Sequence, residues 1–316
     1  MLKNFLAKLG VGAAKIDLVL NKQHYELGDV VQGCFHVQGG SVAQHINRID
    51  VDFEIQIRVR DQVITHPIAR IPVSDAFEIQ PNEQKELPFT HPLPVSMPIS
   101  RGGVSYMFNT RLDIASGIDG ADHDQILILA PVRFESIIQA LDIIGLREKA
   151  DSGKFNGYTQ EFEFYPMGGQ FKGQLDEVEF EAAIEEDGIR LLLEVDLLTM
   201  FGFGEKELKQ EIFLTNEQLA DAHALARHLE AVIREMMENP DAYPASRYRT
   251  AHGHGHGHSR GHGGLTNSMG GLVASMVGGL VLGALASEAI DLVGDEVAVG
   301  DVEGGIDDGG DYGDDF

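Results

Sequence analysis

A chain of 316 residues with 43% hydrophobic content is long enough to bury two globular cores. Its 50 Asp and Glu against 24 Lys and Arg give a formal net charge of −26, which excludes a nucleic-acid surface and sets the body against anionic lipid. A single cysteine, Cys34, excludes an intrachain disulfide and fits a reducing compartment.

At the N-terminus Leu2, Phe5, Leu6 and Leu9 follow helical spacing, while Lys3 and Lys8 interrupt the apolar run. This predicts a short amphipathic helix rather than a secretory signal. Packing on the following domain is one reading. A membrane foot is the other, and a stripe of only about two turns disfavours it. Ile16, Leu18 and Leu20 then alternate with Lys15, Asp17 and Val19 as in a strand. Gly28-Asp29 marks a turn, and residues 30–37 form the next strand, with Cys34 expected there as a buried small hydrophobe.

The clearest pattern follows the Gly39-Gly40 turn. Ile49, Val51, Phe53, Ile55, Ile57 and Val59 alternate with Asp50, Asp52, Glu54, Gln56, Arg58 and Arg60, giving a long strand with one buried face. Further strands are predicted at 62–71, 83–90, 104–114 and 125–130. The stretch between Pro88 and Pro98 lacks the donors for a full ladder and reads as an edge or a crossing loop. Many short strands with Gly and Pro turns describe a sandwich.

Near Pro131 the period changes to helical, through Phe134, Ile137, Ile138, Leu141 and Ile144, with Gly145 as the stop. Strands resume at 161–165, 175–184, 189–198 and 206–214, with a hairpin turn at Glu185-Glu186-Asp187-Gly188. Thr215 with Gln218 makes a capping box that opens a long helix, with an apolar stripe from Leu219 to Met236 and an end at Asn239-Pro240. That stripe packs on the second domain or on a second copy. Three tail segments of different composition follow. The first is the His-Gly run, the second is Gly-rich and apolar from Leu265 to Ser287, and the third runs from Glu288 to Phe316 with acidic residues and no Lys or Arg.

The ordered series of short stretches resembles the bacterial sporulation-control protein family, the stage-zero M proteins, over about residues 1–215. The matching stretches include Leu6-Ala7-Lys8-Leu9-Gly10-Val11-Gly12, Leu27-Gly28-Asp29, Val37-Gln38-Gly39-Gly40-Ser41-Val42 and Ile46-Asn47-Arg48-Ile49-Asp50. Pro92-Leu93-Pro94 with Pro98-Ile99, Thr110-Arg111-Leu112-Asp113-Ile114-Ala115, Gln160-Glu161-Phe162-Glu163-Phe164, Gly173-Gln174-Leu175-Asp176-Glu177 and Leu193-Glu194-Val195-Asp196 continue it. The resemblance implies a mainly β chain of two arrestin-like β-sandwich domains and a role as a regulator or scaffold that acts through protein partners. With it the expected organisation is 1–130, 131–240 carrying the long helix, and a flexible tail at 241–316. The expected location is cytoplasmic, peripheral to the inner membrane at most.

Catalytic chemistry is not written in the chain. There is no P-loop, HExxH pair, Gly-x-Ser-x-Gly elbow or CxxC, so neither a catalytic residue nor a cofactor is expected. His252, His254, His256 and His258 are the metal candidates, since imidazoles at alternate positions converge on Zn²⁺, Ni²⁺ or Cu²⁺. Ordering entropy opposes tight binding there, and a hydrophilic linker that takes metal incidentally is the plainer reading. Asp119, Asp122 and Asp124 around His123 are a second candidate, for Ca²⁺, against a plain solvated loop. His223 and His228, five apart on a helix, share no face and read as surface or packing residues. The segment from Leu265 to Ser287 is long enough to span a bilayer, but its glycines weaken its hydropathy; it reads as a self-association segment or as disorder rather than a membrane span.

Overall fold

The structure is a computed structural model, and it describes residues 12–59, 62–115, 117–156, 159–198 and 205–245. The N-terminal stripe, the His-Gly run, the Gly-rich segment and the acidic end lie outside the described residues. Strands dominate. In chain order they are β1 (Lys15–Leu20), β2 (His24–Glu26), β3 (Val30–Gln38), β4 (Gln44–Val59), β5 (Gln62–Ser74), β6 (Phe77–Ile79), β7 (Gln84–Pro92), β8 (Val104–Ile114) and β9 (Gly120–Leu129). After helix α1 (Val132–Ile143) come β10 (Leu146–Glu148), β11 (Lys154–Phe155), β12 (Gln160–Pro166), β13 (Leu175–Ile184), β14 (Gly188–Leu198) and β15 (Glu205–Thr215). Helices α2 (Asn216–Leu219) and α3 (Ala222–Glu238) close the order.

Two sheets enclose the first core: a three-stranded one, β1-β3-β7, and a larger one built on the path β2-β9-β8-β4-β5. The strict alternation of β4 fixes the arrangement. Ile49, Val51, Phe53, Ile55 and Ile57 are all buried, and Phe53 stacks on Phe108 at 4.7 Å between ring centroids. β7 is an edge strand, so Pro88 and Pro92 forfeit no bond to a second neighbour. Cys34 is half-buried rather than buried. It pairs with Val19 and Pro88 and lies on the outward side of β3, opposite in parity to the buried Phe35 and Val37.

The second core has a different second layer. Among the described residues one six-stranded sheet on the path β10-β12-β13-β14-β15 supplies one wall, and α1 and α3 supply the other. Phe162, Phe164, Val178, Phe180, Leu191 and Leu193 meet Phe134, Ile137, Leu141, Leu225, Leu229 and Ile233. Among the described residues, the helical stripes at 134–144 and 225–236 are the apolar faces that cover this sheet.

The long helix also starts later than expected. The capping box at Thr215 is present, but it opens only α2. The Asp221 carboxylate then accepts from His223 N–H at 2.9 Å and Ala224 N–H at 3.1 Å, capping a new helix, α3. The stop at Gly145 holds, at φ +88°.

Packing crosses the expected boundary between the units in both directions. Ile99 lies in the second core, and Phe155 in the first. The strap at 98–103 carries this exchange. Tyr106 donates its hydroxyl to Pro98 O at 2.6 Å, and Ser100 N–H donates to Ile128 O at 2.7 Å. Gly102 sits at φ +56° where a Cβ would stand 2.1 Å from Gly153 O, so only glycine fits the crossing.

Candidate functional site

The sheet β12–β15 turns one face to its helices and the other away from them. On the outward face the odd residues of β12 and β13 and the even residues of β14 come side by side. Register places Glu161 opposite Glu181, Glu163 opposite Glu179, Glu179 opposite Glu194, Glu177 opposite Asp196, and Asp196 opposite Glu207. Like charges directly across a ladder are destabilising, and here they recur through four strands. Alternation explains the origin: each of these strands must spend its other face on the core, which leaves the acid on this one.

Counter-charge comes from Lys149, Lys209 and Arg190. Lys209 Nζ lies 2.5 Å from Glu194, and Arg190 bonds Glu211 at 2.9 Å and Glu185 at 2.8 Å. Lys149 Nζ donates to Glu163 at 3.1 Å and also contacts Glu177. Burial opposes the charge of Lys149, but the bonds to Glu177 and Glu163 hold its pKa above the ordinary range. Burial, then the charges of Glu161, Glu177 and Glu194, push the Glu179 carboxyl up to about 9. Burial also raises Glu194, against the hydrogen bond from Lys209. Burial and Glu161 raise Glu181, which a hydrogen bond from Thr159 partly offsets.

Glu161, Glu179 and Glu194 bring one oxygen each within 4.8 Å of one another, as do Glu163, Glu177 and Glu179. Hard divalent cations take oxygen sets of this kind, though each triad supplies only part of the six to eight ligands Ca²⁺ uses. The face is better suited to an extended cationic surface than to one ion, because the carboxylates run across four strands rather than around a point.

The candidates from sequence do not converge. His252, His254, His256 and His258 lie outside the described residues. Asp122 and Asp124 sit in β9, which begins at Gly120, so the expected loop is a strand. Asp122 accepts from Leu18 N–H at 2.7 Å, and Asp119 accepts from Ile114 N–H at 3.0 Å. These aspartates serve the backbone. Burial, then Asp122 and Asp17, push the Asp124 carboxyl up to about 7. His223 and His228 are both exposed, and His223 lines a groove of about 400 Å³ between α1 and α3 with Ile143 and Arg227. The carboxylate face itself went unread in the sequence. Its signal is the alternation Glu161-Phe-Glu163 and Glu177-Val-Glu179-Phe-Glu181, where the polar half of the period is all acid. Among the described residues no helix is long and apolar enough to cross a membrane.

A family model described as SpoOM protein matches residues 2–198. The chain is 34% identical over 256 residues to the sporulation-control protein spo0M of Bacillus subtilis (strain 168), covering 75% of this chain and 98% of that one. It is also similar to the crystal structure of Spo0M, sporulation control protein, from Bacillus subtilis, with a TM-score of 0.59 and 34% identity over 71% of this chain and 99% of that chain.

Proposed function

We propose, on the premise that this chain belongs to the SpoOM protein family, that it is a cytoplasmic, non-enzymatic regulatory scaffold whose docking surface is the outward face of β12–β15. The observation that carries this reading is the in-register stack of like charges. Glu179 stands directly between Glu163 and Glu194 across three strands, at a cost that either protonation of Glu179 or a cationic neighbour relieves. A basic segment of a protein partner supplies such a neighbour. Charges fixed on a sheet discriminate among partners and speed encounter more than they add raw affinity. A fold alone assigns no function; this face and the family together support the reading.

Affinity capture tests it. Wild-type protein and a Glu179→Gln/Glu194→Gln variant with an unchanged far-UV circular dichroism spectrum are immobilised and exposed to lysate. Partners retained by wild type, released by moderate salt and lost by the variant support the reading. An identical captured set from both proteins overturns it.

A further inference from the structure

The docking face has a candidate occupant in the same chain. At the end of the described residues, Lys209 N–H donates to Tyr243 O at 3.0 Å, and Leu208 bridges Pro244. The chain therefore leaves along the outer edge of β15, the strand that contributes Lys209 to the carboxylate face. Residues 246–262 follow. They contain Arg247, Arg249 and Arg260 with His252, His254, His256, His258 and His262, and no Asp or Glu. In a chain of net charge −26 this is a concentrated cationic stretch, and it begins beside the concentrated anionic face.

We propose that residues 246–262 dock in cis across the outward face of β12–β15 and act as an internal competitor for its partners. The proposal rests on the reading of that face as a docking surface. Reach is sufficient. The seven residues from Ala245 to His252 extend up to roughly 24 Å. The three strand spacings from β15 to β12 cover roughly 14 Å. The alternating His-Gly sequence suits an extended path, since side chains at every second position face one side and glycine places no bulk on the other. Tethering makes the encounter intramolecular, so weak contacts suffice for occupancy. The alternative acceptor for the cations is the acidic end from Glu288 to Phe316.

The test uses the full chain carrying Arg249→Lys, a change outside the folded body. Zero-length carbodiimide coupling joins the new amine to any carboxylate in contact, and mass spectrometry maps the links. Links within one chain to Glu194, Glu207 or Glu211 are expected, several-fold more abundant than links to Glu288–Phe316 and strongly reduced at ~1 M salt, where the screening length falls to about 3 Å. Links confined to the acidic end, links between labelled and unlabelled chains, or no links at all overturn the proposal. A second measurement is independent of coupling chemistry. Amide exchange in β14 and β15 is expected to be several-fold faster when the three arginines and five histidines of the segment are changed to Gln; unchanged exchange also overturns it. Both readouts use purified protein without a partner. Failure of partner capture therefore leaves this proposal standing, and its failure leaves the partner reading intact.

Discussion

Gln160 and Ile99 grip each other through both ends of one amide. Ile99 N–H donates to Gln160 Oε1 at 2.9 Å, and Gln160 Nε2 donates back to Ile99 O at 3.0 Å. The same Nε2 reaches Gly153 O at 2.7 Å, and Gln160 is only 3% exposed. One side chain thus ties the strap at 98–103 to β12 and bonds backbone groups of Ile99 and Gly153. Gln160→Ala strands the Ile99 N–H donor and the Gly153 O acceptor, each worth about 1–3 kcal/mol when left unmade, while Ile99 O keeps its bond from Arg101 N–H. We expect a loss of about 3 kcal/mol in urea unfolding. A loss below about 1 kcal/mol would show that water replaces the amide freely.

Phe53 is fully buried and stacks on Phe108 and Tyr106 across the β4–β8 ladder. Phe53→Asp places a carboxylate there beside His91, whose pKa burial lowers below the ordinary imidazole range. The expected cost is about 4 kcal/mol or more, enough to unfold the first core near physiological temperature. A melting temperature near wild type would mean that the strand tolerates a register slip, which turns every side chain to the opposite face.

Glu179 gives the second sheet a dependence on pH. Its carboxyl titrates at about 9 in the folded chain against 4.5 unfolded, so folding favours the protonated form. That stabilisation is complete below about pH 4.5 and is lost as pH rises towards about 9. Glu179→Gln removes the dependence. The variant should exceed wild type by about 1–2 kcal/mol at pH 8, after allowance for solvent at this partly exposed group, and should converge with it near pH 4. Chemical denaturation across that range is the measurement; parallel curves for the two proteins would count against the assignment.

Removal of residues 251–316 should leave a folded body. Both cores close within the described residues, and among those residues the last contact with the sheet is made at Tyr243 and Pro244. A 1–250 fragment is expected to keep its β signal in far-UV circular dichroism and a cooperative melt. Aggregation or loss of that signal would assign the tail a structural share.

The same pair of proteins places the metal chemistry. Weak Ni²⁺ or Zn²⁺ binding by His252, His254, His256 and His258 should appear by calorimetry in the full chain and vanish in 1–250. Equal binding by both would move the site to the sheet, where Glu161, Glu179 and Glu194 converge.

Alternation along the chain determined the most. The period-two run from Ile49 to Ile57 names its buried face before any partner strand is known, because successive side chains must point to opposite sides. The stops at Gly145 and the hairpin at 185–188 are equally local, the hairpin closing through Glu185 N–H to Gly188 O at 2.9 Å. What pairs with what is decided elsewhere. Asp52 reads as an outward polar residue, yet it is only 4% exposed, because Arg70 from β5 and Arg111 from β8 close over it at 2.7 and 2.8 Å. Its neighbours come from 18 residues away and further, through pairings that no local pattern encodes. The second core follows the same logic. Helical stripes announce α1 and α3, but only packing shows that they form the layer opposite the sheet. The carboxylate face is the furthest from sequence: each glutamate is an ordinary outward residue of its own strand, and the repulsion among them exists only once register sets Glu163, Glu179 and Glu194 side by side.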